Sequence, residues 1–412
     1  MFMDKIPPDL VNWLLLDLNS FFASCEQQDN PRLRNRVVGI VPVENVDTTC
    51  LLSVSYNGKA LGLRTGTPVG EAKSVCPDIV LLPGNHKKYV AYHDKILHAV
   101  EQCTHIDRVL SIDEVACRMT GSQCIPENAM ALAERIKAKI SIEVGECMTS
   151  SIGIAPNILL AKAASDMQKP NGLVLIKPSD IPHKLLPLKL NHFSGIGPQM
   201  KKRLNRHGIF TVKDLYACDM RRLRGVWGGV EGARFHAKLW GHDIERATGD
   251  KKVLGHQHVL EPRLRNRRDA FNVLEHLLIK AAERLRRYDY YCKRLSVVIR
   301  LDHHMGYWWR ETDFAETQDT QLLLRLLEKF YRDYDGTRPL RVGVTLHGLV
   351  PAAAHQEDLF ATRLPAALLT SIDQINKKFG RHSVTFGLNS YVQEKVGTDK
   401  IAFQRVPEVV YL

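Results

Sequence analysis

At 412 residues the chain is too long for one ordinary hydrophobic core and long enough for two to four compact units. Its formal net charge of +12 favours a polyanionic partner, nucleic acid first and an anionic membrane surface second. No apolar run approaches the roughly 18 residues of a bilayer span, MFMDKIPPDL lacks the regions of a signal peptide, and nine scattered cysteines without a C-x-x-C pair argue against a zinc site or disulfide framework, so a cytoplasmic chain is expected.

Residues 12–18 read as a short apolar strand carrying one carboxylate, Asp17, after which Asn19 or Ser20 can cap a helix beginning near Phe21. In RVLSIDEVACRM, Val109, Leu110, Ile112, Val115 and Ala116 mark a second, largely buried strand bearing Asp113 and Glu114. PENAMALAERIKAKI places Met130, Ala133, Ile136 or Lys137, and Ile140 near helical spacing; a strand in CMTSSIGIA and a helix in NILLAKAASDM follow. The first 170 or so residues are therefore mixed α/β.

The character changes after KPNG, residues 169–172. From about 190 to 240 the pattern is of short helices broken by glycine. Within it, the G-I-G turn of Gly195 and Gly197 leads into a basic helix with Lys201, Lys202 and Arg203, then into HGIFTVKDL, the pattern of a helix-hairpin-helix. Such a hairpin can offer backbone N–H groups to a phosphate at a helix N-terminus.

From about 251 to 349, a strand near VLGHQHVLE precedes a helix whose Phe271, Leu274, Leu278, Ala281 and Leu285 share one face. Strands near RLSVVIRLD and GYWWRETDFAE, a helix in DTQLLLRLLEKFYRDY and a strand in LRVGVTLHGL complete a β-α-β-β-α-β order, which gives a four-stranded sheet with helices on one face. Residues 251–300 hold 13 Lys or Arg against 5 Asp or Glu, so the open sheet face suits a sugar-phosphate backbone. The segment from Pro351 onward contains QEDLF, residues 356–360, and a helix candidate in LPAALLTSIDQINKKFG.

Asp17 lies far in sequence from Asp113 and Glu114, so only pairing of their strands could gather the three acids. Like charges packed at one sheet edge are costly unless cations neutralise them, and hard oxygen ligands suit Mg²⁺. Two such ions could activate a hydroxyl and stabilise leaving pyrophosphate in nucleotidyl transfer. Adjacent strand residues face opposite sides, so joint use of Asp113 and Glu114 requires a local twist or bulge.

Taken together, DLNSFFASCE, SYNGKALGLRTGTP, SIDE, SIGIAPNILLAKAASDMQKPNG and SGIGPQMKKRLNRHGIFTVKDL resemble the Y-family, or translesion, DNA polymerases of the bacterial polymerase IV or polymerase V catalytic-subunit type. The resemblance implies an α+β multidomain right-hand fold: palm (1–20 and 85–172), small fingers (21–84), helical thumb (173–242), linker (243–252), little finger (253–350) and C-terminal tail (351–412). It implies that Asp17, Asp113, Glu114 and the Leu18 carbonyl hold two Mg²⁺ ions, with Glu114 in the catalytic position. Phe21, Phe22, Tyr56, Lys59 and Lys169 match nucleotide-binding positions, and Phe22 falls at the steric gate that excludes a ribose 2′-hydroxyl, with Phe21 assigned to the core. Gly195, Gly197, Lys201, Lys202 and Arg203 match DNA-binding positions. Gln356, Leu359 and Phe360 match a sliding-clamp peptide.

The partners implied are primer-template DNA, deoxynucleoside triphosphates and a sliding clamp, on a monomeric chain. Asn19 replaces a frequent second Asp, Lys59 a frequent Arg, and Ile158 stands where PNK is usual. The implied activity is template-directed DNA synthesis in damage bypass with low fidelity. A non-catalytic DNA- and clamp-binding scaffold is the alternative, and the retained carboxylates argue against it. A nucleotidyl cyclase on a related palm is disfavoured by the hairpin and the basic C-terminal sheet.

Overall fold

In the computed structural model, which describes residues 9–244, 252–301, 306–336, 338–356, 366–380 and 383–384, the first strand is β1 (Trp13–Leu18), buried at all six positions. Helix α1 (Phe21–Asp29) follows after a two-residue turn. A small sheet, in the order β3-β2-β4, comes from β2 (Val38–Val41), β3 (Ser53–Val54) and β4 (Val80–Pro83); α2 (Tyr56–Ala60) and α3 (Val69–Val75) lie between β3 and β4 in the chain. After α4 (His86–Glu101) the chain returns to the sheet of β1 through β5 (Arg108–Val109) and β6 (Glu114–Arg118). Next come α5 (Pro126–Glu143), β7 (Ser150–Ala155), α6 (Ile158–Met167) and β8 (Leu173–Leu175). This sheet has the order β5-β6-β1-β7-β8, with β1 central and antiparallel to both neighbours.

Alternation sorts the side chains of β1 between two cores. Leu14, Leu16 and Leu18 pack with Tyr89, Ile96, Ala133, Ile136 and Ile140. Trp13 and Leu15 join Leu160, Ala161 and Ala164 of α6 on the other face. Asp17 shares the parity of Trp13 and Leu15, which directs its carboxylate to the α6 side. That helix lies tight on the sheet because residue 153 is glycine: a Cβ there would sit 2.0 Å from the Ala161 carbonyl oxygen and 2.4 Å from the Ser165 nitrogen.

Four short helices follow, α7 (Pro198–Arg206), α8 (Val212–Tyr216), α9 (Met220–Trp227) and α10 (Val230–Leu239). Phe193, Ile196, Leu204, Leu215 and Leu223 bring them into the same core as α6. Asn157 makes the join specific: its Oδ1 accepts from the Leu160 N–H to cap α6, while Nδ2 donates to the carbonyls of Lys238 and His242.

The chain divides into two units near residue 246. The second contains β9 (Val253–Val259), α11 (Arg267–Arg287), β10 (Tyr290–Leu301), β11 (Tyr307–Thr317), α12 (Thr320–Arg332) and β12 (Pro339–His347). Its sheet order is β11-β10-β12-β9, and β13 (Val350–Pro351) adds to the start of β10. Leu274, Leu278, Ala281 and Leu285 meet Leu295, Val297, Ile299, Val342 and Val344, so the helices cover one sheet face as the sequence pattern requires. Helix α13 (Ala366–Phe379) is tied to α11 by a two-pronged Arg286–Asp373 pair at 2.6 and 2.8 Å. Among the described residues no helix is long and apolar enough to cross a membrane.

Two local expectations are corrected. Ser20 occupies the N-cap position of α1 in a left-handed conformation and its side chain does not cap the helix; the Asn19 amide is spent elsewhere. The acid-bearing segment is not one strand: β5 and β6 form a hairpin whose tip spans 110–113, with the N–H groups of Leu110 and Ser111 both donating to the Glu114 carbonyl. The Leu-Ser-Ile-Asp tip turns the chain where apolar content alone suggested continuity. On α5, Ile136 rather than Lys137 faces the core.

Candidate active site

The β1–β6 register sets Asp17 directly opposite Glu114, so these two carboxylates share one face. Asp113 precedes β6 in the hairpin tip and is therefore released from strand alternation, which answers the geometric difficulty of using two adjacent acids. Its carbonyl accepts the Leu18 N–H at 2.8 Å and its Oδ1 accepts from the Ser111 hydroxyl at 2.5 Å.

Two lysines enter this group from α6 and the loop after it. The Lys162 ammonium bonds Asp17 and lies 2.8 Å from Glu114 and 3.3 Å from Asp166. Lys169 lies 2.7 Å from Asp17 and 2.8 Å from Asp166. Burial pushes the Asp17 carboxyl upward, but the charges and hydrogen bonds of Lys162 and Lys169 outweigh it and hold the acid below its ordinary range. Asp113 and Glu114 are raised, first by burial, with the charge of Asp17 adding to it and Ser111 or Lys162 opposing. Lys162 is raised: burial alone would lower it, and Asp17, Glu114 and Asp166 reverse that.

The loop carrying Lys169 is clamped from below. Asn19 Oδ1 accepts the Asn171 N–H at 2.7 Å and Nδ2 donates to the Ser151 hydroxyl at 3.0 Å. Lys137 donates to the carbonyls of Ser150 and Asn171, each at 2.7 Å, and to that of Gly172. Residue 19 thus uses both halves of an amide, donor and acceptor; a carboxylate would supply only the acceptor.

Tyr56 opens α2 and Lys59 lies in its last turn, with the Lys59 ammonium 4.2 Å from the centre of the Tyr56 ring. Tyr56 is raised mainly by burial, with Lys169, Asp17, Asp166 and a hydrogen bond to Asn19 among its neighbours. Lys59 is lowered by burial and by the adjacent Lys169, partly offset by Asp17 and Asp113. Both residues therefore lie within electrostatic range of the carboxylates. Phe21 and Phe22 begin α1; the Phe22 ring stacks on Tyr89 at 4.4 Å and 14°, and the Tyr89 hydroxyl donates to Glu26 at 3.0 Å.

The donor set suits divalent cations in charge and in chemistry: three carboxylates and the strand-end carbonyl of Leu18, all hard oxygen. Two buried hydroxyls beside it, Ser20 and Ser150, have no hydrogen-bond partner among the described residues, and Ser150 stands opposite Leu18. As the side chains stand, no three carboxylate, thiolate or imidazole groups among the described residues are gathered tightly enough to hold an ion. The positive charge at the centre of the group comes from lysine.

Residues 16–166 match the impB/mucB/samB family, and residues 251–359 match its C-terminal domain. The chain is 32 % identical to DNA polymerase IV of Moorella thermoacetica over 90 % of its own length and 94 % of that protein. It is 29 % identical to DNA polymerase IV 1 of Bacillus subtilis, over 90 % and 91 %. The chain belongs to the Y family of DNA polymerases. A Y-family DNA polymerase chimera of Dbh and Dpo4 shares its fold, with a TM-score of 0.68 at 23 % identity, covering 82 % of this chain and 99 % of that one. DinB from Sulfolobus solfataricus aligns over the same shares at 24 % identity and a TM-score of 0.52.

In this Y-family chain the remaining predicted site residues come later in the sequence than the carboxylates. Gly195 and Gly197 flank the buried Ile196, and a Cβ on either glycine would meet open space. Gly195 has φ 93°, the left-handed region that favours glycine. Lys201, Lys202 and Arg203 are exposed on α7. Gln356 is exposed in the second unit, whereas Leu359 and Phe360 lie outside the described residues.

The sequence reading missed Lys162, Asp166, Ser111 and Tyr89. Helical spacing offered a signal for the first two, because i and i+4 positions share a face of NILLAKAASDM. The others depend on a hairpin tip and on a helix from a distant stretch of chain.

Proposed function

We propose that the chain is a template-directed DNA polymerase of the translesion type, which extends a primer 3′-hydroxyl with deoxynucleotides and releases pyrophosphate. The observation carrying this reading is the convergence of Asp17, Asp113 and Glu114 from β1 and the β5–β6 hairpin beside Lys169, Tyr56 and Lys59. Family membership supports it independently.

Asp17, Asp113, Glu114 and the Leu18 carbonyl would hold two Mg²⁺ ions, which when bound supply the charge that activates the hydroxyl and neutralises the leaving group. The first turn of α1, uncapped by any side chain, presents the N–H groups of Phe21 and Phe22 to triphosphate oxygens. Lys169, Tyr56 and Lys59 orient that triphosphate. Lys59 delivers a point charge where Arg would grip two oxygens at once. Phe22 lies under the sugar as the gate.

Residues 1–20 and 85–172 serve as palm, 21–84 as fingers, 173–242 as thumb and 253–350 as little finger. Gly195, Gly197, Lys201, Lys202 and Arg203 receive DNA phosphates, and Gln356 begins the clamp peptide. Primer extension on a defined template tests the central reading. Asp113→Ala and Glu114→Ala are each expected to slow incorporation by at least about a hundredfold, the scale of losing one element of charge stabilisation at a reacting centre. Unchanged extension in both would remove the carboxylates from the reaction.

A further inference from the structure

The Lys162 ammonium sits among Asp17, Glu114 and Asp166, while Asp166 also receives Lys169. The side chains of Asp17 and Lys162 are only 8 % and 18 % exposed, so their charges are poorly screened by water. Four acids, Asp17, Asp113, Glu114 and Asp166, are set against these two lysines. Oxygens that a divalent cation would ligate are thus already engaged by ammonium hydrogen bonds.

We propose that Lys162 and Asp166 form a cation-exchange device: Lys162 holds Asp17 and Glu114 together until a divalent cation replaces it, and Asp166 then receives the displaced ammonium. This rests on the reading of Asp17, Asp113 and Glu114 as metal ligands. The two residues lie one turn apart on α6, an i, i+4 pair, so the transfer needs only rotation about side-chain bonds. The helix backbone need not move, and it already packs closely on Gly153. Lys162 and Asp166 are positioning residues, and their effect is on the ease with which the carboxylates exchange one cation for another.

The device gives the two substitutions opposite signs. Mn²⁺ titration of the full chain, followed by the electron paramagnetic resonance signal of the free ion without DNA or nucleotide, reads this directly. Lys162→Met removes the competitor and should tighten Mn²⁺ binding about five- to tenfold, the scale of a typical coupling between two sites. Asp166→Asn removes the receiving group and should weaken binding by a similar factor. In the double variant the Asp166 effect should disappear, because no Lys162 ammonium remains to be received.

Lys162→Arg keeps the charge and should leave affinity within about twofold of the unsubstituted chain. Thermal unfolding of each variant separates loss of fold from loss of exchange. Unchanged or weaker binding in a folded Lys162→Met variant overturns the proposal. An Asp166→Asn loss that persists in full beside Lys162→Met assigns Asp166 to Lys169 and overturns it too. Failure of the underlying reading shows differently: Asp113→Ala and Glu114→Ala would then both leave Mn²⁺ affinity unchanged.

Discussion

Phe22 keeps 8 % of its surface exposed and Phe21 3 %, so burial alone does not separate a sugar gate from a core residue. Their contacts with one ring differ: Phe22 lies flat on Tyr89, itself anchored through its hydroxyl to Glu26, while Phe21 meets the same ring only at a tilt and at 6.4 Å. A flat stack supports one face of the ring, as a gate residue requires. Phe22→Ala should therefore lower the preference for deoxyribonucleotides by roughly a hundredfold, measured as the ratio of kcat/KM values for the two sugars. It should also lower stability, since a largely buried aromatic is lost. If Phe21→Ala alone admits ribonucleotides, the gate is one residue earlier. Asn19 shows the same dependence on surroundings. Its amide ties Ser151 to Asn171 and thereby aims the loop that bears Lys169, a job invisible in the residue type.

Among the elements, α6 does most to build the site. It carries Lys162 and Asp166, precedes Lys169, and touches β7 through a glycine that cannot bear a side chain. Gly153→Ala should force the helix away from the sheet, costing at least about 2 kcal/mol as an overpacked core. The checks are a lower thermal midpoint and slower primer extension in the same variant. In the second unit, Glu275 of α11 is raised to about 7, first by burial and then by the charge of Glu328 on α12. A carboxyl whose folded value lies above its unfolded one binds its proton more tightly when folded. Its stabilising contribution is complete below the unfolded value near 4.5 and is lost as pH rises through about 7. Glu275→Gln should flatten this dependence and gain on the order of 1 kcal/mol at pH 8, discounted for solvent screening and measured by denaturant unfolding across pH.

At the scale of the whole molecule, the excess of basic residues in 251–300 lies in the unit whose sheet has helices on one face only, consistent with a positively charged surface for a polyanion. The order of strands and helices was legible for β1 and α1 and again for most elements from about residue 108 onward, where periods of 2 and 3.6 in apolar residues stand out, but not for β2, β3, β4, α2, α3 and α4 between residues 38 and 101. The β-α-β-β-α-β unit, the helices after 190, and the helix that closes on Phe379 all follow from such patterns. The β5–β6 hairpin did not, since apolar residues run through its tip and only the backbone turn at 110–113 divides it. The identities of the three acids were legible as motifs. By itself the sequence determined β1, α1 and most of the elements after residue 125, their apolar faces and the carboxylates available for chemistry, all of which are local properties of residue type and spacing. Only the tertiary structure decided that Glu114 stands opposite Asp17, that Asp113 escapes strand alternation, and that Lys162 sits between them. Those facts depend on strand register and on how closely α6 approaches Gly153, and no local pattern encodes a distance between segments so far apart in the chain.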